Sequence, residues 1–268
     1  ALKPNYVEAH NNLGNALQEL GRLDEAVASY RKALAIKPDY AEAHNNLGIS
    51  LQDLECPDEA VDSFHKALAI KPDYANAHYN LGLVLQNLGR LDDAVACYRK
   101  ALAIQPDYAE AHSNLGVALQ ELGKLDEAVV SYNKALAIKP DYAEAHNNLG
   151  VALHDLGKVD EALASYHKAL DIKPGFAEAH RNLGLALQEL GKLDEAVASY
   201  NKAIAIKPDY AEAHSNLGVA LQKLGKLDEA VTSHHKALAI NPDYVQAHYN
   251  LGNVLKDLER LDEAVASY

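Results

Sequence analysis

Apolar residues recur along this chain at helical spacing, in two runs within every 34 residues. In 109–142, Ala111, Leu115, Ala118, Leu119 and Leu122 fall on one side of a helix turning about 100° per residue. Glu110, Asn114, Val117 and Glu121 fall on the opposite side. A second helical run follows, with Ala128, Tyr132, Ala135 and Leu136 inward and Asp126, Glu127 and Lys134 outward. Neither helix of such a pair can bury its apolar face alone, whereas stacking like neighbours buries both. The pattern predicts an all-α solenoid of antiparallel helix pairs.

The repeat is explicit. Ala41–Tyr74 reads AEAHNNLGISLQDLECPDEAVDSFHKALAIKPDY, and Ala143–Phe176 reads AEAHNNLGVALHDLGKVDEALASYHKALDIKPGF. Units in this register occupy 7–40, 41–74, 75–108, 109–142, 143–176, 177–210 and 211–244. Residues 1–6 read as the end of a truncated unit, and 245–268 as a truncated eighth. No linker or compositional shift interrupts the series, so a single domain over 1–268 is expected.

The boundaries carry their own signals. Asp39 with Glu42 three residues on has the form of a capping box, as do Asp107/Glu110, Asp141/Glu144 and Asp209/Glu212. The first helix is expected to end near Gly21, Gly89, Gly123, Gly157, Gly191 and Gly225, where a left-handed residue suits glycine. Glu55 and Glu259 stand at that position in units two and eight, so those turns should be strained or differently shaped. The second helix should open at Asp24 and its equivalents and run to Lys37-Pro38. Pro57 sits at such an entrance, where its missing amide hydrogen costs nothing.

Composition narrows the partners. A net charge of -13, from 38 acidic and 25 basic residues, disfavours nucleic acid and anionic membranes, whose binding rests on neutralised phosphates. No apolar run approaches a membrane span, and no signal peptide is visible, so a cytoplasmic location is expected. Cys56 and Cys97 lack disulfide or zinc-ligand spacing and read as small helix residues. With no Met present, the chain is expected to be an excerpt of something longer.

The spacing His112-x2-Leu115-Gly116-x2-Leu119, then Ala128-x3-Tyr132, Ala135 and Pro140, resembles the tetratricopeptide-repeat (TPR) family over essentially the whole chain. The resemblance implies a right-handed TPR superhelical solenoid whose task is to hold another polypeptide. Two departures recur: histidine replaces the aromatic near the start of the first helix, and leucine replaces the tyrosine further along.

Catalysis is not expected. Nearly every Ser, His, Asp, Glu and Cys belongs to the repeat, whereas a catalytic site is one asymmetric constellation. No phosphate loop, metal-ligand cluster or nucleophile motif appears, and no cofactor is expected. His10, His44, His78, His112, His146, His180, His214 and His248 share one position beside the apolar face and read as packing residues with one polar atom satisfied. His154, His234 and His235 break the pattern singly and suggest no site.

The candidate binding residues are Asn12, Asn46, Asn80, Asn114, Asn148, Asn182, Asn216 and Asn250, constant on the polar stripe of every first helix while other outward positions drift. A side-chain amide both donates and accepts, so it can pair with the peptide unit of any sequence. The rival reading is a structural hydrogen bond between repeats. The pattern is similar to the TPR region of O-linked N-acetylglucosamine transferases, a resemblance that implies an asparagine ladder gripping extended substrates. The basic residues with which some co-chaperone TPR domains clamp a terminal carboxylate are missing; the companions are Glu8, Glu42, Glu110, Asp53 and Glu121. Glu42, Gln52 and Asp53 should favour basic or polar side chains. Three readings follow: a scaffold for extended polypeptide, a targeting domain of a larger enzyme such as a glycosyltransferase, and a self-assembling module. The last would stack head to tail, with Val265 and Tyr268 near the Ala1–Tyr6 segment of the next copy.

Overall fold

The computed structural model describes residues 6–268; Ala1–Asn5, part of the expected head-to-tail contact, lie outside the described residues. Sixteen helices and no strand occur among the described residues. They fall into two compact units, one ending at Pro140 and the other beginning at Asp141. The first holds α1 (Val7–Glu19), α2 (Leu23–Ile36), α3 (Ala41–Asp53), α4 (Pro57–Ile70), α5 (Ala75–Asn87), α6 (Leu91–Ile104), α7 (Ala109–Glu121) and α8 (Leu125–Ile138). The second holds α9 (Ala143–Asp155), α10 (Val159–Ile172), α11 (Ala177–Glu189), α12 (Leu193–Ile206), α13 (Ala211–Lys223), α14 (Leu227–Ile240), α15 (Val245–Asp257) and α16 (Leu261–Ser267).

Within each unit, odd-numbered helices pack on the helix that follows and on the one that precedes, and also touch the next odd-numbered helix. Successive even-numbered helices make no such approach, so the odd helices form the tighter, inner layer. This explains why α7 is buried at Ala109, Ala111, His112, Ser113, Leu115, Gly116, Ala118 and Leu119, leaving only a narrow stripe. On α8 the buried set is Ala128, Ser131, Tyr132 and Ala135. Ser131 satisfies its hydroxyl by donating to the Glu127 carbonyl one turn back, at 3.0 Å.

The core of a repeat is a ring against a glycine. Tyr132 is fully buried over Gly116, and a Cβ added there would lie 2.6 Å from Tyr132 Cε1. Tyr30, Phe64, Tyr98, Tyr166 and Tyr200 fill the same slot elsewhere. In unit seven the slot holds His234, fully buried against Gly218, with neither ring nitrogen hydrogen-bonded.

The capping boxes are corrected. Tyr40, Tyr108, Tyr142 and Tyr210, not the preceding aspartates, stand at the N-cap, and no side chain caps the helix there. Pro38-Asp39 forms the turn before α3, so the helix begins one residue later than the box requires and Glu42 falls at its second position. The even helices likewise open one residue earlier than Asp24, at Leu23. Gly123 is left-handed at φ 72°, as expected. Glu55 and Glu259 adopt the same conformation, at φ 57° and 59°. The turn at Glu55 keeps its shape: the Glu55 and Cys56 amides donate to Gln52 and Leu51 at 3.0 and 2.9 Å, as Gly89 and Arg90 do to Gln86 and Leu85. Units two and eight therefore accept strain rather than a different turn.

Candidate functional site: the inner face of the odd helices

The constant asparagines line the inner layer, but most are half-buried, Asn12 is exposed and Asn182 is buried. Their amides reach the preceding repeat. Asn46 Nδ2 donates to Asn15 Oδ1 at 3.0 Å and, more weakly, to Asn11 Oδ1 at 3.4 Å. Asn80 donates to Asn45 Oδ1 at 3.1 Å, Asn114 to the Tyr79 hydroxyl at 2.9 Å, and Asn182 to Asn147 Oδ1 at 3.0 Å. The partner at 35 residues' separation is always the residue just before the previous repeat's constant asparagine. Neighbours also engage ladder carbonyls: Asn45, Asn147 and Arg181 donate to Asn46, Asn148 and Asn182 at 3.3, 3.3 and 3.1 Å. The Asn250 carbonyl accepts from Gln246 Nε2 at 3.0 Å, and Asn216 is half-buried on the same stripe.

The stripe continues with glutamines. Tyr98 and Tyr132 donate their hydroxyls to Gln86 and Gln120 at 2.9 and 3.1 Å. Gln86 passes its own amide to Glu121 of the next repeat at 2.9 Å, and Gln222 does the same to Asp257 at 2.6 Å. Acidic groups at the other edge meet lysines: Glu110 with Lys139 at 3.5 Å and Glu144 with Lys173 at 2.8 Å. Such exposed pairs contribute at most about 1 kcal/mol.

The repeated histidines sit at the floor of the helix pair. His44, His78, His112 and His180 each place Nε2 at 2.9 Å from a proline carbonyl six residues earlier, and their Nδ1 atoms are buried without a partner. His214 and His248 make the same contact at 3.1 and 2.9 Å. The geometry fits a neutral ring with hydrogen on Nε2, a packing residue with one polar atom satisfied. Burial holds the pKa of His44, His78, His112 and His180 below its ordinary value, opposed by the carbonyl bond.

Two features escaped sequence reasoning. The partner position 35 residues back carries Asn11, Asn45, Tyr79 or Asn147 and lies off the polar stripe, so its constancy of role is hidden by its change of identity. Arg181 occupies that position in unit six.

Stacked helix pairs with a polar inner stripe of recurring amides define an all-α helical repeat protein. The chain belongs to the tetratricopeptide-repeat family. Family profiles described as TPR repeat match residues 14–54, 152–191, 188–225 and 223–258, and profiles described as tetratricopeptide repeat match 39–105, 73–141 and 131–164. A search of curated proteins returned no match. Among solved structures, MamA is 29% identical over 60% of this chain and 94% of its own, with a TM-score of 0.57. YrrB, described as a TPR protein with an unusual peptide-binding site, is 27% identical over 70% of this chain and 96% of its own, with a TM-score of 0.57. The Cut9–Hcn1 tetramer of APC/C matches 95% of this chain and 50% of that one at 20% identity and a TM-score of 0.75, a likeness of fold alone. Among the described residues, no helix is long and apolar enough to cross a membrane.

Proposed function

We propose that this chain is a non-catalytic scaffold that holds extended polypeptide along the inner face of the odd helices, with the constant asparagines gripping the peptide backbone. The observation that carries the reading is the pinning of the amides. A primary amide has two N–H donors and an acceptor oxygen with two lone pairs. At Asn46, Asn80, Asn114 and Asn182 the bonds to the preceding repeat engage Nδ2. Asn46 spends both N–H groups on Asn15 and Asn11 and keeps a lone pair, while at Asn80, Asn114 and Asn182 a second N–H and a lone pair remain, on a side chain whose rotamer is already fixed. The structural bond and the peptide grip are then complementary: ordering the amide beforehand lowers the entropy lost on binding. YrrB, similar over most of its length, is described as having a peptide-binding site, which favours the same class of ligand. Each backbone bond would contribute about 0.5–1.5 kcal/mol, so useful affinity needs several repeats at once.

The test separates grip from structure. Replacing Asn46, Asn80 and Asn114 by Ala should weaken binding to an array of uncharged, extended synthetic peptides at least ~10-fold. It should also lower the melting temperature, because inter-repeat bonds are lost. The control is Asn45→Ser, which removes one such partner and installs the residue already present at Ser113 and Ser215. A smaller loss of affinity in the control supports the ladder; equal losses per unit of lost stability would leave the asparagines purely structural.

A further inference from the structure

We infer that Arg181 makes unit six a charge-reading position of the ladder, selecting a peptide that carries an Asp or Glu side chain at one register. The inference rests on the peptide-holding reading above. Of the chain's six arginines, Arg22, Arg31, Arg90, Arg99 and Arg260 each hold a carboxylate at 2.6–2.9 Å. Arg181 forms no ion pair among the described residues, in a chain with 38 acidic side chains. Its Nη2 donates to Asn182 Oδ1 at 3.1 Å, while its Nε is buried without a partner. The guanidinium lies 5.8 Å from the Tyr210 ring centroid.

The placement follows from the repeat. Asn147 and Ser215, the equivalents in the repeats on either side, are small and buried at 6% and 1% exposure. A long side chain rooted at such a buried point must extend out between repeats. Tyr79 does so in unit three and meets Tyr108, its counterpart 29 residues on, at 4.8 Å. Arg181 takes the same course over Tyr210, also 29 residues on, and so delivers its charge beside a ladder amide. Glu178 and Glu212 act on Tyr210 from nearby, yet neither pairs with the arginine. A guanidinium has five donors in a planar fork that matches a carboxylate, and a half-desolvated one gains most from such a partner. Against the chain's net negative field, a guanidinium fixed beside one ladder amide gives a register-specific preference rather than general attraction to acidic peptides.

The probe is a set of uncharged, unstructured peptides of about twelve residues, long enough to span the ladder asparagines of one unit, with Asp, Asn or Lys walked through every position. At low salt the native chain should bind Asp over Asn at least fivefold at one register, an advantage shrinking at high salt. Arg181→Ser, carrying the residue found at Ser113 and Ser215, should bring that ratio to about one, and Arg181→Lys should keep part of it. Should the serine variant lose helicity, Arg181→Gln gives the same comparison with side-chain length retained. Neutral peptides bound without an Asp preference, or a preference surviving in both the Ser and Gln variants, overturn the inference and leave the ladder standing. A preference that follows the peptide's terminal carboxylate instead of the walked Asp overturns the side-chain assignment. Absence of binding by every peptide defeats the ladder and this inference together.

Discussion

At the scale of single residues, the left-handed turns separate conformational cost from contact. Glu55 and Glu259 hold φ near +60° in the same hydrogen-bonded turn that glycine makes elsewhere. A non-glycine residue pays about 1 kcal/mol for that region. Glu55→Gly should therefore raise stability by about 0.5–1 kcal/mol, less than the full strain because glycine also gains freedom when unfolded. Urea unfolding followed by circular dichroism would show a higher midpoint with unchanged slope; an unchanged or lower midpoint would mean the turn is relaxed with Glu. This strain was legible in sequence because glycine at the other six positions defines what the backbone needs. The caps were not. Asp39 and Glu42 have the right spacing, but Pro38 draws the aspartate into the preceding turn, and the tyrosine that follows becomes the N-cap.

At the scale of the helix pair, two glycines of one helix and its turn do different work. Gly116 faces the fully buried Tyr132 ring, which has no room to yield, whereas a Cβ at Gly123 would meet nothing within 4 Å. Gly116→Ala should cost about 2–3 kcal/mol by overpacking. Gly123→Ala should cost about 1 kcal/mol through its positive φ alone. Equilibrium unfolding of the two variants checks the order, and near-equal losses would mean that the helix pair slides apart at little cost. The apolar faces of both helices, and hence the pairing, were readable from periodicity because burial at Ala111, Leu115, Ala118 and Leu119 is repeated at the equivalent positions of α3, α5, α9, α11, α13 and α15. What periodicity could not supply was contact between repeats. The asparagine stripe was visible as a constant, but its partners lie one repeat back at a position of changing identity, so the network emerges only when the helices are stacked.

At the scale of the whole molecule, the buried imidazoles tie stability to pH. Burial lowers the pKa of His44, His78, His112 and His180, and it drives His234 furthest, to about 4, with His235 adding to the shift. A histidine whose folded pKa is depressed binds fewer protons folded than unfolded between that value and 6.5. Its contribution is complete above 6.5 and is lost as pH falls through the window below. His234 occupies the slot that tyrosine fills elsewhere, and both of its nitrogens lack partners, so a charge there has no acceptor. A depression of that size corresponds to about 2 kcal/mol lost by pH 5. Carboxylates titrate mainly below about 4.5, so the interval between pH 7 and 5 reports histidine. The melting temperature should be level from pH 8 to 7 and fall steadily towards pH 5. His234→Tyr refills the slot with a ring whose hydroxyl can reach Gln222, as Tyr132 reaches Gln120. That variant should keep a shallow slope from the four repeated histidines while losing the steep part. A profile as steep as the parent's would place the acid sensitivity outside unit seven, and a flat parent profile would mean that the buried rings accept a proton without cost.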